Sequence, residues 1–212
     1  MASIGSARMP DDARPDREPE SAALPDAFAV HRPGDPDRYA TARAALSTVP
    51  LAVVLIGAGE AATRGCATGT AMYVSFAPPR LAIALHPGSR TTALVRSSGW
   101  FSVSVLRDDQ VDLAVRAGKS GGGGDKFAHL GEAVVLGPAS TPALADAAAV
   151  IWCRVVDETA SGDHQLFVGE VAAWDRRAMD RADARPALVR HQRRYASIGP
   201  WLSSEAPEGY PT

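Results

Sequence analysis

Cysteine is nearly missing from this 212-residue chain, which holds only Cys66 and Cys153. Two such residues make neither a disulfide framework nor a zinc-ligand spacing. Their presence predicts reduced thiols in a cytoplasmic protein. Long apolar runs are missing as well. Leu51–Ile56 falls far short of the roughly 20 residues a membrane helix needs. Met1 to Glu20 is polar and has no apolar core, so no signal peptide and no membrane partner are expected. Charge of one sign does not dominate either. With 22 Lys and Arg against 24 Asp and Glu, the net charge is −2, which predicts no nucleic-acid partner.

One absence is local. Between Ala61 and Arg107 there is no Asp or Glu, while Arg64, Arg80, Arg90, Arg96 and Arg107 all lie there. A cationic stretch in a slightly acidic chain predicts a field that attracts phosphate-bearing ligands. Within it, Ser89-Arg90-Thr91-Thr92 opens a predicted helix. Free backbone N–H groups, two kinds of hydroxyl and a guanidinium converge there, as a terminal phosphate requires. The plainer alternative is that Ser89 only caps its helix and the arginines are solvated.

The order of elements bounds the fold. Residues 1–35 carry Pro10, Pro15, Pro19, Pro25 and Pro33 among many charges, the composition of a mobile arm. Asp35 to Leu46 reads as a helix with Pro36 at its first position. Leu51–Ile56, Met72–Phe76, Leu81–His86, Trp100–Leu106, Ala133–Leu136, Val150–Val156 and Gln165–Trp174 read as strands. Phe101-Ser102-Val103-Ser104-Val105 alternates as a half-buried strand should. Ser89–Ser98 and Asp108–Ala117 read as short helices. Many strands with few helices between them predict a β-rich α+β fold, a closed antiparallel barrel with a few flanking helices. The folded domain is expected over 36–200, with 201–212 as a tail.

Two motifs are decoys. Gly57-Ala58-Gly59-Glu60-Ala61-Ala62 fits a dinucleotide-binding turn, but the next residues, Thr63 to Thr70, are a poor helix. The acid required about 20 residues on is also missing. Gly118-Lys119-Ser120 resembles the end of a phosphate-binding loop, but Leu113 stands where its first glycine belongs. His86, His164 and His191 show no metal-ligand spacing.

Several stretches, taken together, are more specific. LSTVPLAVV at 46–54, GCATGTAMYVSFAPPRLAIAL at 65–85, SRT at 89–91, GWFSVSVL at 99–106, DKF at 125–127, GDHQLFVGEV at 162–171 and LVRHQRRY at 188–195 follow in sequence. This order resembles the flavin reductase-like family, the FMN-binding split barrels, many of which are reductase components of two-component flavin-dependent monooxygenases. The resemblance implies a homodimeric antiparallel barrel binding FMN or FAD, with NADH or NADPH as hydride donor. It implies that Ala67, Thr68, Gly69 and Thr70 line the flavin ring edge, and that Ser89, Arg90 and Thr91 hold its phosphate. Ser104 stands where relatives often carry Asn, and Lys126 and Phe127 match an element that borders the flavin. His164, after Asp163, matches a histidine that orients the nicotinamide. Arg194 and Tyr195 match a C-terminal element facing the same pocket.

One departure stands out. Met72 and Tyr73 replace a Thr-Ser pair, either as a size swap in the core or as a reshaped pocket face. Three functions follow: an NAD(P)H-dependent flavin reductase supplying a partner monooxygenase, a flavin-retaining oxidoreductase acting on its own organic substrate, or a non-catalytic flavin- or haem-binding module.

Overall fold

The computed structural model describes residues 38–60, 63–119, 124–175 and 186–199. The expected arm, the Asp35–Pro36 helix start and the tail lie outside these. Two units are delimited, 1–43 and 44–212. The chain opens with α1 (Arg38–Leu46). No helix among the described residues is long and apolar enough to cross a membrane.

The strands are β1 (Leu51–Ala52), β2 (Val54–Ala58), β3 (Gly65–Gly69), β4 (Ala71–Phe76), β5 (Pro79–Leu85), β6 (Trp100–Val105), β7 (Val134–Leu136), β8 (Pro142–Leu144), β9 (Ala149–Ser161), β10 (His164–Trp174), β11 (Leu188–His191) and β12 (Arg194–Ser197). Helices α2 (Arg90–Ser98), α3 (Val111–Gly118) and α4 (Lys126–Leu130) lie between them. Every pairing is antiparallel. The largest sheet runs β3-β2-β6-β9-β10-β5-β4, beside a β1-β11-β12 sheet and a β7-β8 pair. The doubly wound alternative is therefore excluded, since it needs parallel strands.

The outermost strands of the large sheet, β3 and β4, are consecutive in the chain and joined by Thr70 alone. Neighbouring Cα atoms are about 3.8 Å apart, so the sheet must curl until its edges meet at that residue. A Cβ added to Gly69 would sit 3.7 Å from the Ala84 carbonyl oxygen of β5, which places the end of β3 alongside β5.

Two apolar clusters sandwich the sheet. Inside the curl, Val54, Ile56, Ile83, Leu85, Phe101, Val103 and Phe167 pack together. On the outer face of β2 and β3, Leu55 and Cys66 meet Leu113 and Ala117 of α3 and Phe127 and Leu130 of α4. Burial on both faces explains why β2 is an unbroken apolar run with every residue buried. It also explains the glycine of the dinucleotide decoy. A Cβ on Gly57 would lie 2.3 Å from the Pro142 carbonyl oxygen and 2.6 Å from Ser102 Oγ. Gly59 then turns the chain at φ 87°.

The alternation in β6 has a different cause from the expected half-exposure. Ser102 and Ser104 are as buried as their apolar neighbours. Ser102 Oγ donates to the Pro142 carbonyl at 2.5 Å, and Ser104 Oγ accepts from Leu144 N–H at 3.0 Å. Both hydroxyls serve the backbone of β8, which sequence patterning missed.

Candidate active site

The outer face of β4, β5 and β10 carries the exposed functional side chains. Gln165 lies opposite Leu85, Leu166 opposite Ala84, Phe167 opposite Ile83 and Val168 opposite Ala82. Leu85, Ile83 and Phe167 point into the core. Alternation therefore sends Ala82, Ala84, Leu166 and Val168 outward. Met72, opposite Ala82 on β4, joins them and is 64% exposed. One step back along the strand, Thr70 falls beside Ala84, and Thr68 shares its face. Ala67, Gly69 and Ala71 face inward: Ala67 and Ala71 pack on the core, and a Cβ on Gly69 would meet Ile56. His164 precedes Gln165 and His86 follows Leu85, the last pair of the β5–β10 ladder, and both histidines are exposed. Directly opposed residues have Cβ atoms about 5 Å apart. The result is a shallow floor of alanines bordered by Thr68, Thr70 and Met72 on one side and by His86 and His164 on the other.

His164 begins β10 at the tip of the β9–β10 hairpin, and its Nδ1 lies 2.7 Å from Asp163 Oδ1. A carboxylate accepts, so Nδ1 carries the proton and Nε2 presents its lone pair. His86 has the opposite polarity. Its Nδ1 accepts from Gly88 N–H at 3.3 Å, which leaves Nε2–H as a donor.

The floor ends at the start of α2. Ser89 Oγ accepts from Thr92 N–H at 3.1 Å, and Ser89 N–H donates to the His86 carbonyl at 2.9 Å. Thr92 Oγ1 donates to the same carbonyl at 2.8 Å. Helix geometry leaves the N–H groups of Arg90 and Thr91 without an intrahelical acceptor, and the first turn holds no acid. The side chain of Thr91 is buried. The Arg90 guanidinium donates to the carbonyl oxygens of Gly124 and, at 2.9 Å, Thr63.

The acid-free segment is not acid-free in space. Arg64 pairs with Asp125, Arg80 with Glu170 at 3.6 Å, Arg96 with Glu158 at 2.5 Å, and Arg107 with Asp146 and, at 2.9 Å, Asp109. These pairs correct the expected broad cationic field. Among the described residues Arg90 alone of the five has no carboxylate partner, so the positive charge is concentrated at the helix start.

Other expected site residues are structural in their contacts. Ser104 is buried against β8, and Phe127 is fully buried in the outer cluster. Lys126 Nζ donates to the Ala117 carbonyl at 2.7 Å, and Thr68 Oγ1 to the Ala114 carbonyl at 3.1 Å; both satisfy the C-terminal end of α3. Asp125 caps α4 through Ala128 N–H at 3.2 Å. Burial alone would raise its carboxyl, but the Arg64 and Ala128 hydrogen bonds and the Arg64 charge outweigh that and hold it below its ordinary range. Arg194 and Tyr195 lie in the small sheet, where Tyr195 packs on the outer cluster and Arg194 is exposed. Tyr73 is neither core nor floor. It is 68% exposed, with its ring 4.9 Å from that of Phe76.

Over 131 residues the chain is 35% identical to an actinorhodin polyketide dimerase of Streptomyces coelicolor, covering 61% of this chain and 72% of that one. It is 29% identical over 168 residues to an NADH:riboflavin 5'-phosphate oxidoreductase of Streptomyces pristinaespiralis, covering 78% and 89%. Its fold matches a nitrilotriacetate monooxygenase component B homologue from Mycobacterium thermoresistibile, with a TM-score of 0.70, 23% identity, and 80% and 91% coverage. Residues 46–199, which include β1 to β12 and the whole of this face, match the flavin reductase like domain, and the chain belongs to that family.

Proposed function

We propose that this protein is an NAD(P)H-dependent flavin reductase that supplies reduced FMN or FAD to a separate monooxygenase. Family membership carries the reaction class, and the NADH:riboflavin 5'-phosphate oxidoreductase relative supports the cofactor pair. The observation that ties the reaction to this face is Arg90, uncompensated by any described carboxylate, at a helix start with free N–H groups and no acid. That donor set suits a flavin phosphate. Ser89, Arg90 and the N–H of Thr91 hold the phosphate, and the ring edge lies along Thr68, Gly69 and Thr70. Ala82 and Ala84 keep the floor low enough for a planar ring.

His164 Nε2, held as an acceptor by Asp163, takes a hydrogen bond from the nicotinamide carboxamide and fixes which face of that ring meets the flavin. The bound pair supplies hydride transfer itself, from the nicotinamide to the flavin. The chain contributes position and phosphate binding.

The curl that brings β3 and β4 together at Thr70 completes a closed split barrel in this reading. Met72, Tyr73, Val74 and Phe76, all exposed on strand β4, are covered by a second copy of the chain in a homodimer. Two buried, unpaired thiols suit a cytoplasmic location.

The relative named a polyketide dimerase favours a second reading, in which flavin is retained and acts on an organic substrate of this protein's own. Purified protein separates the two. Steady NADH oxidation that requires added FMN or FAD supports the reductase. Protein that is yellow as isolated, and inert toward NADH while converting an organic substrate, overturns it.

A further inference from the structure

His86 is an exposed histidine that the family resemblance does not assign. It stands between the two halves of the proposed site. It directly follows β5, and its carbonyl anchors the start of α2 by accepting from Ser89 N–H and Thr92 Oγ1. Its ring folds back over the turn, with Nδ1 held 3.3 Å from Gly88 N, and the residue is exposed. With Nδ1 accepting there, the free edge of the ring is the Nε2–H donor. A donor next to an uncompensated arginine and a helix start has an anion as its natural complement.

We propose that His86 donates Nε2–H to the terminal phosphate of the flavin, beside Ser89 and Arg90, and so sets a preference for phosphorylated flavin over riboflavin. The inference rests on the flavin site described above and adds a ligand contact to it. The glycine at position 88 is consistent with this arrangement. A Cβ there would sit 3.7 Å from both Nδ1 and Cε1 of His86, so the ring lies directly over that residue.

The test is binding of FMN and riboflavin to the full chain and to His86→Ala and His86→Asn, followed by fluorescence quenching of the flavin. Loss of one hydrogen bond to a charged group weakens FMN about tenfold in His86→Ala, with riboflavin unchanged. Asn, whose amide N–H₂ is a donor, recovers part of the loss. Equal weakening of FMN and riboflavin assigns His86 to holding the turn and overturns the proposal, as does unaltered FMN binding in both variants. If the unmodified protein binds neither flavin, the flavin site itself fails. If it binds FMN and riboflavin equally, only the phosphate-recognition role fails. Thermal unfolding of each variant shows whether the turn survives the substitution.

Discussion

The Arg90 guanidinium donates to the Thr63 carbonyl oxygen at 2.9 Å and also to that of Gly124. The arginine that carries the proposed phosphate site thus has backbone oxygens, and no described acid, for company. Arg90→Ala is expected to weaken FMN binding about tenfold to a hundredfold, since charge-assisted bonds contribute about 1.5–3 kcal/mol. Arg90→Lys keeps the charge but loses the fork, and recovers only part. Isothermal titration with FMN checks both. An unaltered dissociation constant in Arg90→Ala removes the residue from the site.

His164 is expected to act on the nicotinamide side alone. In His164→Ala the KM for NADH rises about tenfold while FMN affinity holds. Asp163→Asn, which weakens the hold on Nδ1, gives a smaller rise in the same parameter. Steady-state kinetics with each substrate varied in turn make the separation. A matched loss in flavin affinity would place His164 elsewhere.

Gly57 is a packing glycine. Gly57→Ala forces a methyl to within 2.3 Å of the Pro142 carbonyl and is expected to cost about 3 kcal/mol. Chemical denaturation measures it. The fraction that stays folded should bind FMN normally, because the neighbours the methyl meets, Pro142, Ser102 and Phe127, are buried packing residues outside the proposed flavin contacts. Wild-type stability in the variant contradicts the close approach.

The thiols should be inert in the folded protein. Burial pushes Cys66 up to about 11, with the Lys126 charge offsetting part of that, and pushes Cys153 up to about 12. Ellman's reagent at neutral pH should therefore find no thiol until denaturant is added, and then both. Rapid labelling of either in the native state would refute their burial.

Acid should loosen the joint between β3 and α4. Asp125 is depressed below its ordinary 3.8 in the folded state, so the stability it contributes is present above that value. It is lost as pH falls through the lower folded-state value. Asp125→Asn keeps a capping oxygen but not the Arg64 pair, and should flatten that part of the stability–pH curve. Parallel curves for the two proteins would show that the pair contributes nothing.

Much of the fold could be read from local pattern. The strands at Trp100, Val150 and Gln165, and the Ser89–Gly99 helix with its caps, were all recognisable from spacing and punctuation. Strand β3 was not, because Gly65-Cys66-Ala67-Thr68-Gly69 has the small residues of a turn. Its strand character comes from pairing with β2 and from the cover of α3 and α4. β11 and β12 were missed for a related reason: Gln192 and Arg193 take positive φ at their turn without the glycine that signals one.

The site divides in the same way. The serine and arginine at the helix start were visible. Apart from Asp109 beside Arg107, the carboxylates that pair with Arg64, Arg80, Arg96 and Arg107 come from distant positions, which no linear count of charge reveals. His86 gives a weak signal, a period of two continuing from Ala82 and Ala84. Only the fold shows that its carbonyl anchors the start of α2.

Anaerobic mixing of the protein with one equivalent of FMN and excess NADH decides whether this face carries hydride to a flavin. The expected result is rapid loss of the yellow flavin absorbance, slowed in His164→Ala and requiring more FMN in Arg90→Ala. Flavin that stays oxidised with NADH present, at a protein concentration that binds it fully, would contradict the assignment.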